Sequence, residues 1–134
     1  MTRNISVIGI GKLGLCFALT LEKQGYIVVG VDVSEEYIRM VNDKTLVSPE
    51  MDVMNDLTQS KNLTATTDIK KGLDHSDILF LFVATPSLPN GRYDHTQIDG
   101  VVKHLTQYGS SLQTKHIIIG CTTMPGYCDT VQDR

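Results

Sequence analysis

Three glycines and one aspartate carry the first chemistry legible in this sequence. Gly9-Ile10-Gly11-Lys12-Leu13-Gly14 forms a G-x-G-x-x-G loop, and Asp32 closes the next apolar run. In such a loop the first glycine permits a tight turn and the second lets a diphosphate approach the backbone. The third lets the following helix pack close to the strand. A helix opening there presents free N–H groups to an anion. A carboxylate in the position of Asp32 accepts hydrogen bonds from the adenosine ribose hydroxyls. Its charge repels a 2′-phosphate, and Val33-Ser34 supply no arginine to hold one, so the pattern favours NAD over NADP. The pattern gains its weight from its setting between two strands and a helix. Asp32 can also be read as an exposed cap for the next helix, although Ser34 already offers that cap.

Two further turns carry hydroxyls. Val83-Ala84-Thr85-Pro86-Ser87 ends one apolar run, and Thr122-Thr123-Met124-Pro125-Gly126 follows another. Both can set hydroxyls and backbone N–H groups beside a nicotinamide ribose, and both can equally be plain polar turns. The three cysteines, Cys16, Cys121 and Cys128, are odd in number and lack C-x-x-C spacing. A disulfide scaffold and a zinc site are therefore disfavoured, and a reducing cytoplasm fits. Cys16 reads as a small core residue within an apolar helix. Cys121 has no histidine or lysine evidently placed to activate it, and no cysteine is expected to be a nucleophile. His75, His95, His104 and His116 show no metal-ligand spacing and read as solvated or loop residues.

The elements that must position these groups alternate along the chain. Ile5 to Gly9 reads as a buried strand, and Leu13 to Leu21 as a helix apolar on nearly every side, stopped by Gly25. Ile27 to Asp32 reads as a second strand. Ser34 caps a helix whose apolar face is Tyr37, Ile38 and Val41, with Glu35 and Glu36 at its positive end. The stretch 44–61 has no clear period beyond a short helix near Met51 to Leu57. Leu63 to Thr66 reads as a strand and Asp68 to Leu73 as a short helix. Ile78 to Ala84 is uniformly apolar, as in a parallel strand buried on both faces. A polar loop, Thr85 to His95, leads to Thr96-Gln97-Ile98-Asp99, a capping-box pattern with Thr96 as the cap. Ile98, Val101, Val102, Leu105 and Tyr108 then recur at helical spacing until Gly109. His116 to Ile119 reads as a fifth strand. This alternation predicts an α/β fold with a doubly wound parallel sheet, a Rossmann fold of about five strands ending before a sixth. Ligands of such sheets bind beyond the carboxyl ends of the strands, where strand order reverses. Both hydroxyl turns, the glycine loop and Asp32 all fall at carboxyl ends.

The 134 residues make one ordinary domain, spanning 1–134. Hydrophobic residues at 41% and charged residues at 20% suffice for one core and argue against disorder. The net charge of −3 and the lack of a basic stretch exclude a phosphate-backbone footprint, so no nucleic-acid partner is expected. The apolar run before Gly9 is too short for a signal peptide or membrane span, so no membrane association is expected.

Gly9 to Gly14, Asp32, Val83 to Ser87, Tyr93-Asp94 and Thr122 to Gly126 together resemble the N-terminal domain of the UDP-glucose/GDP-mannose dehydrogenases. The resemblance covers nearly the whole chain, and the threonine-proline and threonine-x-proline-glycine pairs are its most specific part. It implies NAD as cofactor and contacts at Leu13, Asp32, Thr85 and Thr123, beside those of the glycine loop (Gly9, Gly11, Lys12, Gly14) and Pro86. It also implies a catalytic role for Thr123, positioning a water or the substrate. Where the family often has a lysine on the adenosine side, this chain has Tyr37. The segment before Glu50 matches the family loosely. The implied reaction is a two-step, NAD-dependent oxidation of a nucleotide sugar, a UDP-sugar by expectation, from C6 hydroxyl to carboxylate through a cysteine thioester. The family's cysteine, lysine and asparagine lie later in the chain than this sequence reaches. The resemblance therefore implies an N-terminal fragment, inactive alone, of an enzyme that is a homo-oligomer when full length.

Two other readings remain open. A β-hydroxyacid-type dehydrogenase shares a similar glycine loop, although the threonine turns fit it less well. NAD-sensing regulatory domains of potassium channels are similar in size, although they complete their sheet.

Overall fold

A computed structural model describes residues 3–108 and 115–134. Five strands form one wholly parallel sheet: β1 (Asn4–Ile8), β2 (Ile27–Val31), β3 (Leu63–Thr66), β4 (Ile78–Leu81) and β5 (His116–Ile119), in the order β3-β2-β1-β4-β5. Strand order reverses between β1 and β4, so the crevice expected for a ligand opens beyond Ile8 and Leu81.

Side chains alternate across the sheet and send alternate residues into two cores. On one face Ile5, Val7 and Val28 meet α1 (Lys12–Lys23), α2 (Glu35–Asn42) and α3 (Val53–Gln59) through Leu15, Leu19, Ile38, Val41 and Leu57. On the other, Ile8, Val31, Leu79 and Leu81 meet Leu73 of α4 (Ile69–His75) and Leu105 of α5 (Thr96–Tyr108). A last short helix, α6 (Tyr127–Gln132), packs through Tyr127 against Ile98 and Val102 of α5.

Most elements lie where the sequence places them. Gly25 adopts φ +91° and ends α1, and the Ser34 hydroxyl accepts the Tyr37 N–H at 3.2 Å. Three expectations change. First, β4 is not equally buried on both faces. Leu79 and Leu81 are fully buried, whereas Ile78 and Phe80 are only partly so. Phe80 and Phe82 face an aromatic cluster with Phe17, ring centroids 4.7 and 5.0 Å away, which covers that side incompletely. Second, the capping box does not form. Asp94 Oδ1 accepts both the N–H and the hydroxyl of Thr96, at 2.8 and 2.5 Å, so a residue upstream caps α5. Asp99 instead turns toward α6. Third, the loop before α5 is a small hairpin. Leu88 O accepts from Gly91 N, Leu88 N donates to Arg92 O, and Ser87 bridges Tyr93. Pro89-Asn90 between Leu88 and Gly91 is apt turn chemistry. The stop assigned to Gly109 lies outside the described residues. No helix among the described residues is long and apolar enough to cross a membrane.

Candidate functional site

A cleft of about 680 Å³ lies at the reversal point. Gly9, Gly11, Lys12 and Asp32 line one side, with Val33, Thr67 and Ile69 beyond the ends of β2 and β3. Val83 and Ala84 line it after β4, and Gln97, Gly100, Val101 and His104 of α5 close the far wall.

Backbone packing fixes the glycine loop. Gly9 holds φ +89°, and its N–H donates to Val31 O at 2.7 Å, which extends the sheet into the turn. A Cβ at Gly14 would sit 1.8 Å from the Gly9 carbonyl oxygen, so the start of α1 presses directly on the turn. Gly11 is the opposite case: a Cβ there would meet nothing within 4 Å. Its open face looks into the cleft. Gly11 is also the N-cap of α1, with no side-chain cap, and the first turn carries no acidic residue. The helix thus presents unshielded N–H groups and positive dipole to that space, which fits a diphosphate.

Asp32 is held against this loop. Its Oδ2 accepts the Ile10 N–H at 3.2 Å and its Oδ1 accepts the Val33 N–H at 2.8 Å. Each oxygen retains acceptor capacity for the paired hydroxyls of a ribose. Tyr37 stands close by. Burial first, and then the Asp32 charge, push its phenol up to about 12, so it remains a neutral donor. Lys12 reaches Glu50 at 2.9 Å, and this bond raises its pKa while clipping the 44–52 loop beside the cleft mouth.

The remaining positions from the sequence spread wider. Leu13 is 62% exposed in the first turn of α1. Thr85 and Pro86 follow Ala84, and Pro86 O accepts the Asp94 N–H at 2.8 Å, which ties them to the hairpin. Thr123 sits on the β5–α6 turn, outside the lining of this cleft. In that turn Cys121 Sγ donates to Leu81 O at 3.3 Å, and burial pushes the thiol up. Burial also raises the Cys16 thiol. Neither is an activated nucleophile. Among the described residues no cluster could hold a metal ion.

Sequence reasoning missed the α5 wall and two histidines. His104 is exposed but lines the cleft, with Nδ1 donating to Gly100 O at 2.8 Å. His95 lies on the loop before α5, as expected, but is engaged there: its Nε2 accepts the Met124 N–H at 3.2 Å. One signal was available for the wall, since the α5 positions facing a sheet's switch point follow from the helical period once topology is known.

The model of the UDP-glucose/GDP-mannose dehydrogenase family, NAD binding domain, matches residues 3–134. The chain is 32% identical over 132 residues to GDP-mannose 6-dehydrogenase of Pseudomonas aeruginosa, covering 96% of this chain and 30% of that protein. A crystal structure of a ternary complex of GDP-mannose dehydrogenase from the same species superposes with a TM-score of 0.83 at 31% identity, covering 95% of this chain and 30% of that one. A UDP-glucose dehydrogenase from Pyrobaculum islandicum has the same fold, with a TM-score of 0.88 at 20% identity over 99% of this chain and 33% of that one. The chain thus spans about 30% of the length of the GDP-mannose 6-dehydrogenases it matches. A glycine loop open to the cleft, an aspartate held beside it and a family match over residues 3–134 lead to one conclusion: the chain belongs to the UDP-glucose/GDP-mannose dehydrogenase family, as its NAD-binding domain.

Proposed function

We propose that this chain holds the cofactor for a nucleotide-sugar 6-dehydrogenase, which oxidises the C6 hydroxyl of a nucleotide sugar to a carboxylate. One observation carries the reading. The open face of Gly11, the uncapped first turn of α1 and the Asp32 carboxylate meet in a single cleft at the reversal of strand order. Bound NAD supplies the hydride acceptor for both oxidations.

The chain's residues bind and orient. Gly9, Gly11 and Gly14 let the diphosphate lie against the α1 N-terminus, where Lys12 adds a positive charge and Leu13 an apolar edge. Asp32 takes the adenosine ribose hydroxyls, and Tyr37 bounds that end as a neutral phenol. Thr85 and Pro86, at the end of β4, hold the nicotinamide ribose. Thr123, at the end of β5, shares that task, and its hydroxyl orients a water or the substrate. Thr123 is partly buried, whereas Thr122 is exposed.

The unactivated state of Cys16 and Cys121 supports a nucleophile elsewhere in a longer protein. We extend the reading to a homo-oligomer of that full-length protein, working in the cytoplasm in polysaccharide biosynthesis on a UDP-sugar or GDP-mannose. The test is NADH formation, followed by absorbance, with a panel of nucleotide sugars. The full-length parent is expected to reduce NAD with one of them, and this chain alone with none. No turnover by the full-length protein on any nucleotide sugar would defeat the reading, as would robust turnover by this chain.

A further inference from the structure

The β5–α6 turn is held by a group of side chains that the cofactor reading leaves unused. His95 Nε2 accepts the N–H of Met124, the residue after Thr123, across 3.2 Å. The imidazole also lies against the buried Tyr127 ring, centroids 4.2 Å apart. Tyr127 donates its hydroxyl to Asp99 Oδ1 at 2.8 Å, and the Arg134 guanidinium meets the same oxygen at 2.8 Å. His95 is itself fixed, because its carbonyl accepts the first backbone bond of α5, from Asp99 N at 2.8 Å. One imidazole thus connects the start of α5 to the turn that follows β5.

We infer that His95 is a positioning residue for the nicotinamide end of the cofactor, its Nε2 acting as acceptor for the Met124 N–H to set the Thr122–Met124 turn. The inference rests on the assignment of Thr123 to that end under the proposed function. Its physical basis is donor–acceptor matching. A backbone N–H can only donate, so Nε2 carries the lone pair and the ring proton sits on Nδ1. Protonation of Nε2 would set one donor against another, leaving the Met124 N–H without its partner. Among the described residues, the ionisable groups around the ring are Asp94 before it, Asp99 one turn along α5, and Tyr127 and Arg134 of the α6 region. Arg134 neutralises Asp99, and Thr96 occupies Asp94. Neither carboxylate replaces the lost acceptor. Loss of that acceptor therefore releases the turn and weakens contacts to the nicotinamide half, while the adenosine half on Asp32 is untouched.

The test compares NAD with ADP, which lacks the nicotinamide and its ribose, by calorimetry on this chain at neutral pH. Wild type is expected to bind NAD more tightly than ADP. His95→Gln keeps an acceptor near the Nε2 position, so it should retain that preference. His95→Phe keeps a ring on Tyr127 without an acceptor. It should bind NAD about five-fold more weakly, with ADP affinity unchanged, which also reports that the variant is folded. A His95→Phe variant that distinguishes the two ligands as wild type does would overturn the inference. So would a His95→Gln variant that loses the preference as His95→Phe does, or a wild type that binds both ligands equally. If wild type binds neither ligand, the cofactor reading itself fails and the inference falls with it.

Discussion

The two ends of the cofactor cleft are built by different means. The glycine loop and Asp32 are held by the backbone at the centre of the sheet: Gly9 bonds to Val31, Asp32 bonds to Ile10 and Val33, and Gly14 touches Gly9. The threonine turn hangs from β5, an edge strand where His116, Ile117 and Ile118 are exposed. What holds it are side-chain bonds across more than one element, from His95 to Met124 and from Tyr127 to Asp99. The first end is over-determined by sterics and tolerates little change. The second is set by a few polar contacts that can be altered singly without unfolding the sheet.

Glycine substitution should break this contrast most visibly if it is wrong. Gly14→Ala forces a Cβ against a carbonyl oxygen that cannot move, and is expected to cost about 3 kcal/mol or more in urea unfolding. Gly120→Ala, at the other end, meets the Phe82 ring edge at 2.3 Å. That ring can shift, so the expected cost is about 1 kcal/mol. Equal losses at both positions would erase the difference between the ends.

Asp32→Asn comes next. It keeps the shape and removes the charge that strengthens bonds to ribose hydroxyls. NAD affinity is expected to fall about ten- to a hundred-fold with thermal stability little changed, read by calorimetry and a melting curve.

Tyr127→Phe sharpens the picture at the second end. It removes a hydroxyl donor from a carboxylate and is expected to cost about 1 kcal/mol at neutral pH. Arg134, then Tyr127, hold the Asp99 carboxyl below its usual range. A lowered folded pKa gives stability that is complete above the ordinary carboxylate range, near about pH 4, and lost as the pH falls through the folded value. Asp99 and Arg134 are nearly half exposed, so solvent screens much of this. The difference between wild type and Tyr127→Phe should narrow on acidification below that range; urea midpoints across pH measure it.

The smallest effect is expected at Lys12. Its ion pair with Glu50 is largely exposed, so Lys12→Gln should leave the melting temperature unchanged while weakening NAD binding a few-fold, about three-fold, with less difference at high salt.

The same contrast explains what could be read from the sequence. The glycine loop, its helix, Asp32 and all five strands are local patterns, and each gave its position through periodicity or a turn residue. The alternation of strands and helices was enough to expect a doubly wound parallel sheet, while the order β3-β2-β1-β4-β5 is visible only in the fold. The grip on the threonine turn was illegible because its bonds join residues far apart in sequence, 29 positions between His95 and Met124. Thr96 misled for a related reason: its capping pattern was correct locally, but Asp94 competed for the same N–H and Asp99 was drawn to Tyr127 and Arg134. The 44–52 loop has no period to read. It is shaped by left-handed Lys44 and Asp52 and by the reach of Lys44 Nζ to the carbonyls of Thr58 and Ser60.

Asp32 and the α1 N-terminus are proposed to form one NAD site in this chain. Calorimetric titration of the wild type and Asp32→Asn with NAD and NADP decides this. Wild type is expected to bind NAD more tightly than NADP, and Asp32→Asn to lose most of that preference. Equal affinities of the wild type for both dinucleotides, or an Asp32→Asn variant that keeps the full preference for NAD, would contradict it.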